Sequence, residues 1–541
     1  MAQAVRAARK TATVVAVALL LALAGRVQAQ PAGAAPPTTL VVFGNGDLAK
    51  RKIYPSLAQA WKAGKLSPDL KIVAAARDPM AQQQFLRELR AGVRKLGKVN
   101  TRSAAWKAIE ARIEYRSVDL TKRSTVDALS QRLDRLDAGG SRARMLYLAV
   151  TPSILEPAID NLAGAGLLTR GDPHLLVEKP FGRDLRSARA LDRALHGRIP
   201  PDRVMRMDHY LGKAAIEDLG DLRRNDPELA AVWNRDFIDR VEISASESIG
   251  IEGRGNFYEE TGALRDFAQG HLVQMLAATA AEPSRPEDAR AARTGVVRAL
   301  RPFDAESVQR DVLRMQYRGY RAEPGVAADS QVETYVAIRA HVDNPRWRGV
   351  PFMLESGKAL GQKRSSIRVH LKRLTPELAR RLGARADRPA VLEVEVDPSP
   401  RITLRSGRKK LTLADGSGRP DPYERLLVRA MRGEEEAFVG DREVEAAWEW
   451  VRPIQEAWDS PGAAPIAQHR QGARRPTAAQ EMFRAAAQRH ASVRPRRLRP
   501  SLVRLSHTRQ ELRTAWSARR VPRVRRPTRP SRVKATGSAR R

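Results

Sequence analysis

The chain is expected to fold as α/β in its first part and α+β in its second: a parallel sheet flanked by helices, then a larger domain with a mainly antiparallel sheet. Three observations predict this. Apolar strand-like runs alternate with helix-like stretches as far as about residue 210, which is the pattern of a parallel sheet with helical crossovers. Beyond a helical stretch at 262–281, strand-like runs crowd together at 331–341, 366–371, 391–396 and 402–404, predicting a large antiparallel sheet with helices on one face. With 541 residues, 42% of them hydrophobic, the chain can build two cores.

The expected organisation is a signal-like segment and linker at 1–37, a dinucleotide-binding domain at 38–210, a second domain at 211–490 and a basic tail at 491–541. Three basic residues precede an apolar run at 12–24, and Val27-Gln28-Ala29 follows. This is the layout of a secretory signal peptide, too short for a comfortable membrane span. Two compartments are therefore expected: exported or periplasmic if residues 1–29 are made, cytoplasmic if translation starts further along. The net charge of +36 is unevenly spread, with +4 in residues 1–37, +16 in 493–541 and +16 in the body between them. A positive body suits anionic ligands. The tail is arginine- and proline-rich and is expected to be disordered. It could neutralise phosphates of nucleic acid or an anionic membrane, but no aromatic interleaving supports recognition, and a solvated extension is the simpler expectation. Cysteine is absent, which excludes disulfides and thiolate metal sites, and no other cluster has metal-ligand spacing.

The first element, 39–43, is a β-branched and apolar strand ending in Gly44-Asn45-Gly46, followed by Asp47-Leu48-Ala49 and a helix-like stretch that includes Lys50. Strand, glycine turn and helix open a Rossmann-like dinucleotide-binding unit: small residues let the backbone approach the pyrophosphate, and the helix amino-terminus faces its charge. The turn reads G-x-G-x-x-A. A second strand, 71–75, leads to Ala76-Arg77, where an arginine can pair with a ribose 2′-phosphate, so NADP is expected rather than NAD. A third, 145–150, leads to Thr151-Pro152.

Leu175–Val177 is an apolar strand whose end delivers Glu178-Lys179-Pro180, and ligands collect at such strand ends. Arg206–Lys213 reads R-M-D-H-Y-L-G-K. If it turns helical after Asp208, His209 and Lys213 lie four apart on one face beside Tyr210, and all three converge on one anion such as a phosphate monoester.

This motif has company. V-E-K-P-F-G at 177–182, W-N-R-D at 233–236, E-G-R-G at 252–255, G-A-L-R-D-F-A-Q-G-H-L at 262–272, N-P-R-W-R-G-V-P-F from Asn344, G-K-A-L from Gly357, Y-E-R-L-L from Tyr423 and E-V-E-A-A-W from Glu443 follow in order. Over about residues 38–460 the sequence closely resembles the glucose-6-phosphate dehydrogenase family. The resemblance implies NADP-dependent oxidation of glucose 6-phosphate to 6-phosphogluconolactone, an active site between the two domains, and a homodimer or homotetramer formed through the free face of the large sheet. It implies that His209, Tyr210 and Lys213 hold the 6-phosphate, that Lys179 touches sugar hydroxyls and cofactor, that Pro152 lies along the nicotinamide half, and that Glu247 and Lys358 bind sugar hydroxyls. Lys363 stands where the family often has another cation, and Lys50 is expected to approach cofactor and substrate.

Oxidising a sugar C1 hydroxyl needs a base. His271 is expected to be that base, because neutral imidazole accepts protons near neutrality and 262–272 resembles the family at this histidine, and Asp266 is expected to bind substrate and orient the ring. Residues five apart lie about 140° apart on a regular helix, so that contact requires an irregular turn. Three departures from the family pattern stand out: a glycine turn shorter by one residue, Glu355 near a usual base, and 472–476 in place of an aromatic G-S-W-G-P turn. The competing expectations are a degenerate relative that only binds a sugar phosphate, and a nucleic-acid- or membrane-binding protein working through its tail.

Overall fold

The computed structural model describes residues 38–137, 143–282 and 285–491. The signal-like segment and nearly all of the basic tail lie outside the described residues. Six strands form the first sheet: β1 (Thr39–Phe43), β2 (Lys71–Ala76), β3 (Ile113–Ser117), β4 (Arg144–Leu148), β5 (Pro173–Glu178) and β6 (Val204–Met207). Their order is β3-β2-β1-β4-β5-β6, with every pairing parallel. This is a doubly wound sheet, and its order reverses between β1 and β4.

That layering explains why the central strand is apolar from Leu40 to Phe43. Leu40 and Val42 pack against helices Tyr54–Lys62, Gln82–Leu96 and Ala104–Glu110, whereas Val41 and Phe43 face helices Arg123–Leu136, Leu155–Gly164 and Leu185–Leu195. A strand covered on both faces has no solvent side to make polar.

The second sheet has nine strands: β7 (Ile238–Ser246), β8 (Val312–Tyr317), β9 (Tyr335–His341), β10 (Pro351–Gly357), β11 (Arg364–Leu371), β12 (Ala390–Asp397), β13 (Arg401–Ser406), β14 (Lys409–Asp415) and β15 (Ala467–His469). They run in the order β14-β13-β12-β11-β7-β10-β9-β8-β15. The sheet is mixed: β10 pairs with β7, and β15 with β8, in parallel, and the remaining pairs are antiparallel. Ile243, Val369 and Val394 point into the helix-covered core. On the other face Arg240, Glu242, Arg364, Arg368, Glu393 and Glu395 form a lattice of ion pairs. Alternation of period two sorts the residues in this way.

The segment does not turn helical directly after Asp208. Residues 209–212 form turns, Lys213 is extended, and the helix begins at Ala214. The cause is local: the Asp208 carboxylate accepts from Tyr210 N at 2.9 Å and its carbonyl from Leu211 N at 3.0 Å, closing a turn in place of a helical start. Among the described residues, no helix is long and apolar enough to cross a membrane.

Candidate active site

At the cofactor end, β1 delivers the glycine turn to the carboxyl edge of the parallel sheet. Gly44 has φ +126°, and a Cβ there would sit 2.4 Å from the Ala149 carbonyl oxygen. Only glycine fits. Gly46 has nothing within 4 Å of its would-be Cβ, and the helix starts at Asp47 immediately afterwards. Asp47 is exposed and paired with Arg51, and Leu48 is half-buried. An open glycine followed by a helix amino-terminus suits a pyrophosphate. Arg77, just past β2, is exposed and makes no ion pair among the described residues; Pro152 is exposed just past β4. These residues therefore fit a phosphorylated dinucleotide. Lys50 is half-buried, and its stem lies along Gly92 of helix Gln82–Leu96, where a Cβ would come within 2.6 Å of its Cδ.

At the sugar end, the segment Leu264–Leu272 is a π-helix, a rare geometry that concentrates at functional sites. It carries Asp266 and His271. The irregular turn that their spacing requires is present, but the expected contact is replaced. His271 Nδ1 lies 2.8 and 2.9 Å from the two carboxylate oxygens of Asp208, the residue directly after β6. Asp266 instead faces Lys179, which donates to its carbonyl and lies 3.6 Å from its carboxylate. Gly270 lets the π-helix approach closely, since a Cβ there would sit 3.2 Å from Lys179 Cδ and 3.8 Å from Asp208 Oδ2.

The rings of His209 and Tyr210 each stand 4.7 Å from that of His271, and Phe267 stands 5.0 Å away. Tyr210 shares a 2.9 Å hydrogen bond with Ser365, and Lys213 pairs with Asp397 at 2.6 Å. Lys213 also lies 5.5 Å over the Tyr210 ring. Lys358, 4% exposed, is paired with Glu247 and stands 5.2 Å over Tyr258. Lys363 is exposed and makes no ion pair among the described residues. The fold thus gathers Lys179, His209, Tyr210, Asp266 and His271 into one cluster.

Electrostatics set the protonation states. Burial lowers the His271 pKa, opposed by Asp208, so the ring is neutral near neutrality. Burial alone would raise Asp208, but His271, with His209 and Lys179, outweighs it and holds this carboxyl well below the usual range. Asp266 is likewise lowered, burial being overcome by Lys179 and Lys358. Glu178 differs: burial raises it to about 7 although Tyr147 donates to it.

Sequence reasoning missed Asp208 as the histidine's partner. Its position at the carboxyl end of a parallel strand was the available signal. It also missed Ser365 and Asp397. Asp208, His209 and His271 bring potential metal ligands within 4.8 Å of one another, a trio drawn together by folding and without any ligand spacing in the sequence.

A glycine turn at the edge of a doubly wound sheet, beside a buried imidazole and carboxylate ringed by lysines, defines a dinucleotide-dependent oxidoreductase for an anionic substrate. Residues 41–218 match the glucose-6-phosphate dehydrogenase NAD binding domain, and residues 221–491 match the glucose-6-phosphate dehydrogenase C-terminal domain. The chain belongs to the glucose-6-phosphate dehydrogenase family. It is 35% identical over 461 residues to glucose-6-phosphate 1-dehydrogenase 1 of Mycobacterium tuberculosis (strain CDC 1551 / Oshkosh), covering 82% of this chain and 94% of that protein. The crystal structure of glucose-6-phosphate 1-dehydrogenase from Mycobacterium avium superposes with a TM-score of 0.71 at 34% identity, covering 83% of this chain and 97% of that one. A glucose-6-phosphate dehydrogenase solved in complex with its substrate glucose-6-phosphate gives 0.75 at 27% identity, covering 85% and 99%.

Proposed function

We propose that the chain oxidises D-glucose 6-phosphate at C1 to 6-phospho-D-glucono-1,5-lactone in an NADP-dependent reaction, the first step of the pentose phosphate pathway. The observation that carries this reading is the buried pair of Asp208 and His271. With Nδ1–H donating to an ionised carboxylate, Nε2 is left with its lone pair and no hydrogen-bond partner among the described residues. His271 Nε2 takes the C1 hydroxyl proton as C1 becomes a carbonyl, and Asp208 stabilises the imidazolium that results. When bound, the nicotinamide supplies the hydride acceptor.

His209, Tyr210 and Lys213 hold the 6-phosphate in this reading, with Lys213 exchanging Asp397 for the ligand. Lys179, Asp266, Glu247 and Lys358 orient the ring hydroxyls, with Lys363 as a further cation at the rim. Gly44, Gly46, Asp47 and Leu48 receive the pyrophosphate, Arg77 the 2′-phosphate, and Pro152 and Lys179 the nicotinamide half. Lys50, whose stem packs along Gly92, supplies a further cation for the cofactor. The ion-paired face of the nine-stranded sheet is where a second copy docks, giving a homodimer or a homotetramer built from it. A cytoplasmic location matches the dinucleotide supply that the reaction needs.

The test is reduction of NADP and of NAD with glucose 6-phosphate, with His271→Asn as control. Turnover that is stronger with NADP and lost in the control is expected. Silence with both cofactors from folded protein would overturn the reading.

A further inference from the structure

Two of the departures from the family pattern meet in space. Glu355 lies on β10, 4% exposed, and its Oε2 accepts from Arg475 Nε at 2.7 Å and lies 2.6 Å from Arg475 Nη2. Tyr335 donates to its Oε1 at 3.1 Å and Ser244 to its Oε2 at 3.3 Å. The Arg475 guanidinium stacks 3.7 Å from the centre of the Phe483 ring, and its carbonyl accepts from Gln480 at 2.8 Å. One side chain thereby ties the large sheet to helix Thr477–Ala491.

The same junction reaches Lys358. Gly472 N donates to Ala359 O at 2.8 Å, and Gly361 N to Ala473 O at 3.0 Å, so the 472–473 backbone clasps the loop that bears Lys358. The two chains touch so closely that a Cβ on Gly361 would sit 2.8 Å from Gly472 O. Between them Ala359 has φ +52°, a left-handed conformation unfavourable for alanine that persists only where its surroundings over-determine it. They do: Lys358 N bonds to Thr334 O, Ala359 N to Ile249 O and Leu360 N to Glu247 O, the last two from the segment that also supplies the lysine's acidic partner. Leu360 shares a small core with Tyr335, Met353, Ala479 and Phe483, so the loop and the carboxyl-terminal helix are packed as one unit.

We infer that Arg475, through its ion pair with Glu355, is a positioning residue that holds the Lys358 loop in its left-handed turn and thereby sets affinity for the sugar. The inference rests on the reading that Lys358 binds the substrate. Arg475 touches neither proton nor hydride, so its loss should weaken sugar binding and leave the chemical step alone.

The experiment measures KM for glucose 6-phosphate, KM for NADP and kcat on the full chain. In Arg475→Met the sugar KM is expected to rise roughly tenfold, with the other two constants within about twofold. Arg475→Lys, which keeps the charge, recovers part of the loss. If Arg475→Met does not fold because it strands a buried carboxylate, the neutral pair Glu355→Gln with Arg475→Met is read in its place with the same expectation. An unchanged sugar KM, or a fall of kcat together with a rise of both KM values, overturns the inference. Lys358→Met separates the two readings. If it leaves the sugar KM unchanged, the assignment of Lys358 fails; if it raises that KM while the Arg475 variants do not, only the positioning role fails.

Discussion

The cofactor end and the sugar end of the site are built from different materials. At the cofactor end the backbone does the work: one glycine at positive φ, one open glycine and the start of a helix, with Arg77 exposed at the rim. At the sugar end it is side chains, and the buried or half-buried cations already have acids: Lys179 with Asp266, Lys213 with Asp397, Lys358 with Glu247. The difference follows from desolvation. Backbone amides can wait for a phosphate at little electrostatic penalty, whereas a lysine buried without a partner would lose its proton or destabilise the fold. The paired acids hold these lysines oriented within the fold.

If that contrast is right, substitutions should separate cleanly by substrate. The largest effect belongs to the proposed base. His271→Asn is expected to lower kcat about 10⁴-fold with KM values little changed, measured by steady-state NADP reduction. Asp208→Asn should come close, at about 10³-fold, because an amide no longer favours the tautomer with the proton on Nδ1. Asp266→Asn should affect KM for the sugar more than kcat. The reverse ranking would return the orienting role to Asp266.

Next, Gly44→Val should raise the NADP KM at least about 100-fold and leave glucose 6-phosphate binding, read by calorimetry, unaltered, since its Cβ would strike the Ala149 carbonyl. Lys213→Met should raise the KM for glucose 6-phosphate about 30-fold, equivalent to about 2 kcal/mol of lost charge-assisted bonding, and leave weak turnover of unphosphorylated glucose unchanged. A variant that weakened both sugars equally would show that Lys213 does not read the phosphate.

What was legible in the sequence follows the same divide. The strand 39–43 and its glycine turn could be read because a strand buried on both faces is β-branched and almost wholly apolar, and because only glycine permits the turn at Gly44. The second sheet was legible from its alternation, as in Ala390–Asp397, where every second residue is buried. Its two parallel pairings were not, since pairing direction leaves no local trace. Nor was the partner of His271: Asp208 is 63 residues away in sequence, and the same aspartate stops the helix that charge spacing had suggested for 209–213. The site roles came from motif resemblance, and the ion pairs that hold those lysines came only from the fold.

The smallest expected effect concerns one buried acid from each region. Glu178 ends β5 beside the cofactor edge, and Glu333 sits beneath the start of the π-helix, accepting from Leu264 N at 2.7 Å in space left by Gly262. Burial raises both from 4.5 to about 7. A carboxyl with a raised folded pKa binds more protons folded than unfolded between those values. Its contribution to stability is therefore complete below pH 4.5 and is lost as pH rises through 7. Glu333→Gln keeps an oxygen for Leu264 N and removes the titration. Its unfolding free energy should match the parent's near pH 4.5 and exceed it by about 3 kcal/mol at pH 8, read from urea unfolding at both pH values. Because the substituted amide would still cap the helix that carries Asp266 and His271, kcat should not move. A gap that stays flat with pH would mean that Glu333 is already ionised in the fold, held by its backbone donor against burial, and that the π-helix start is a charged cap.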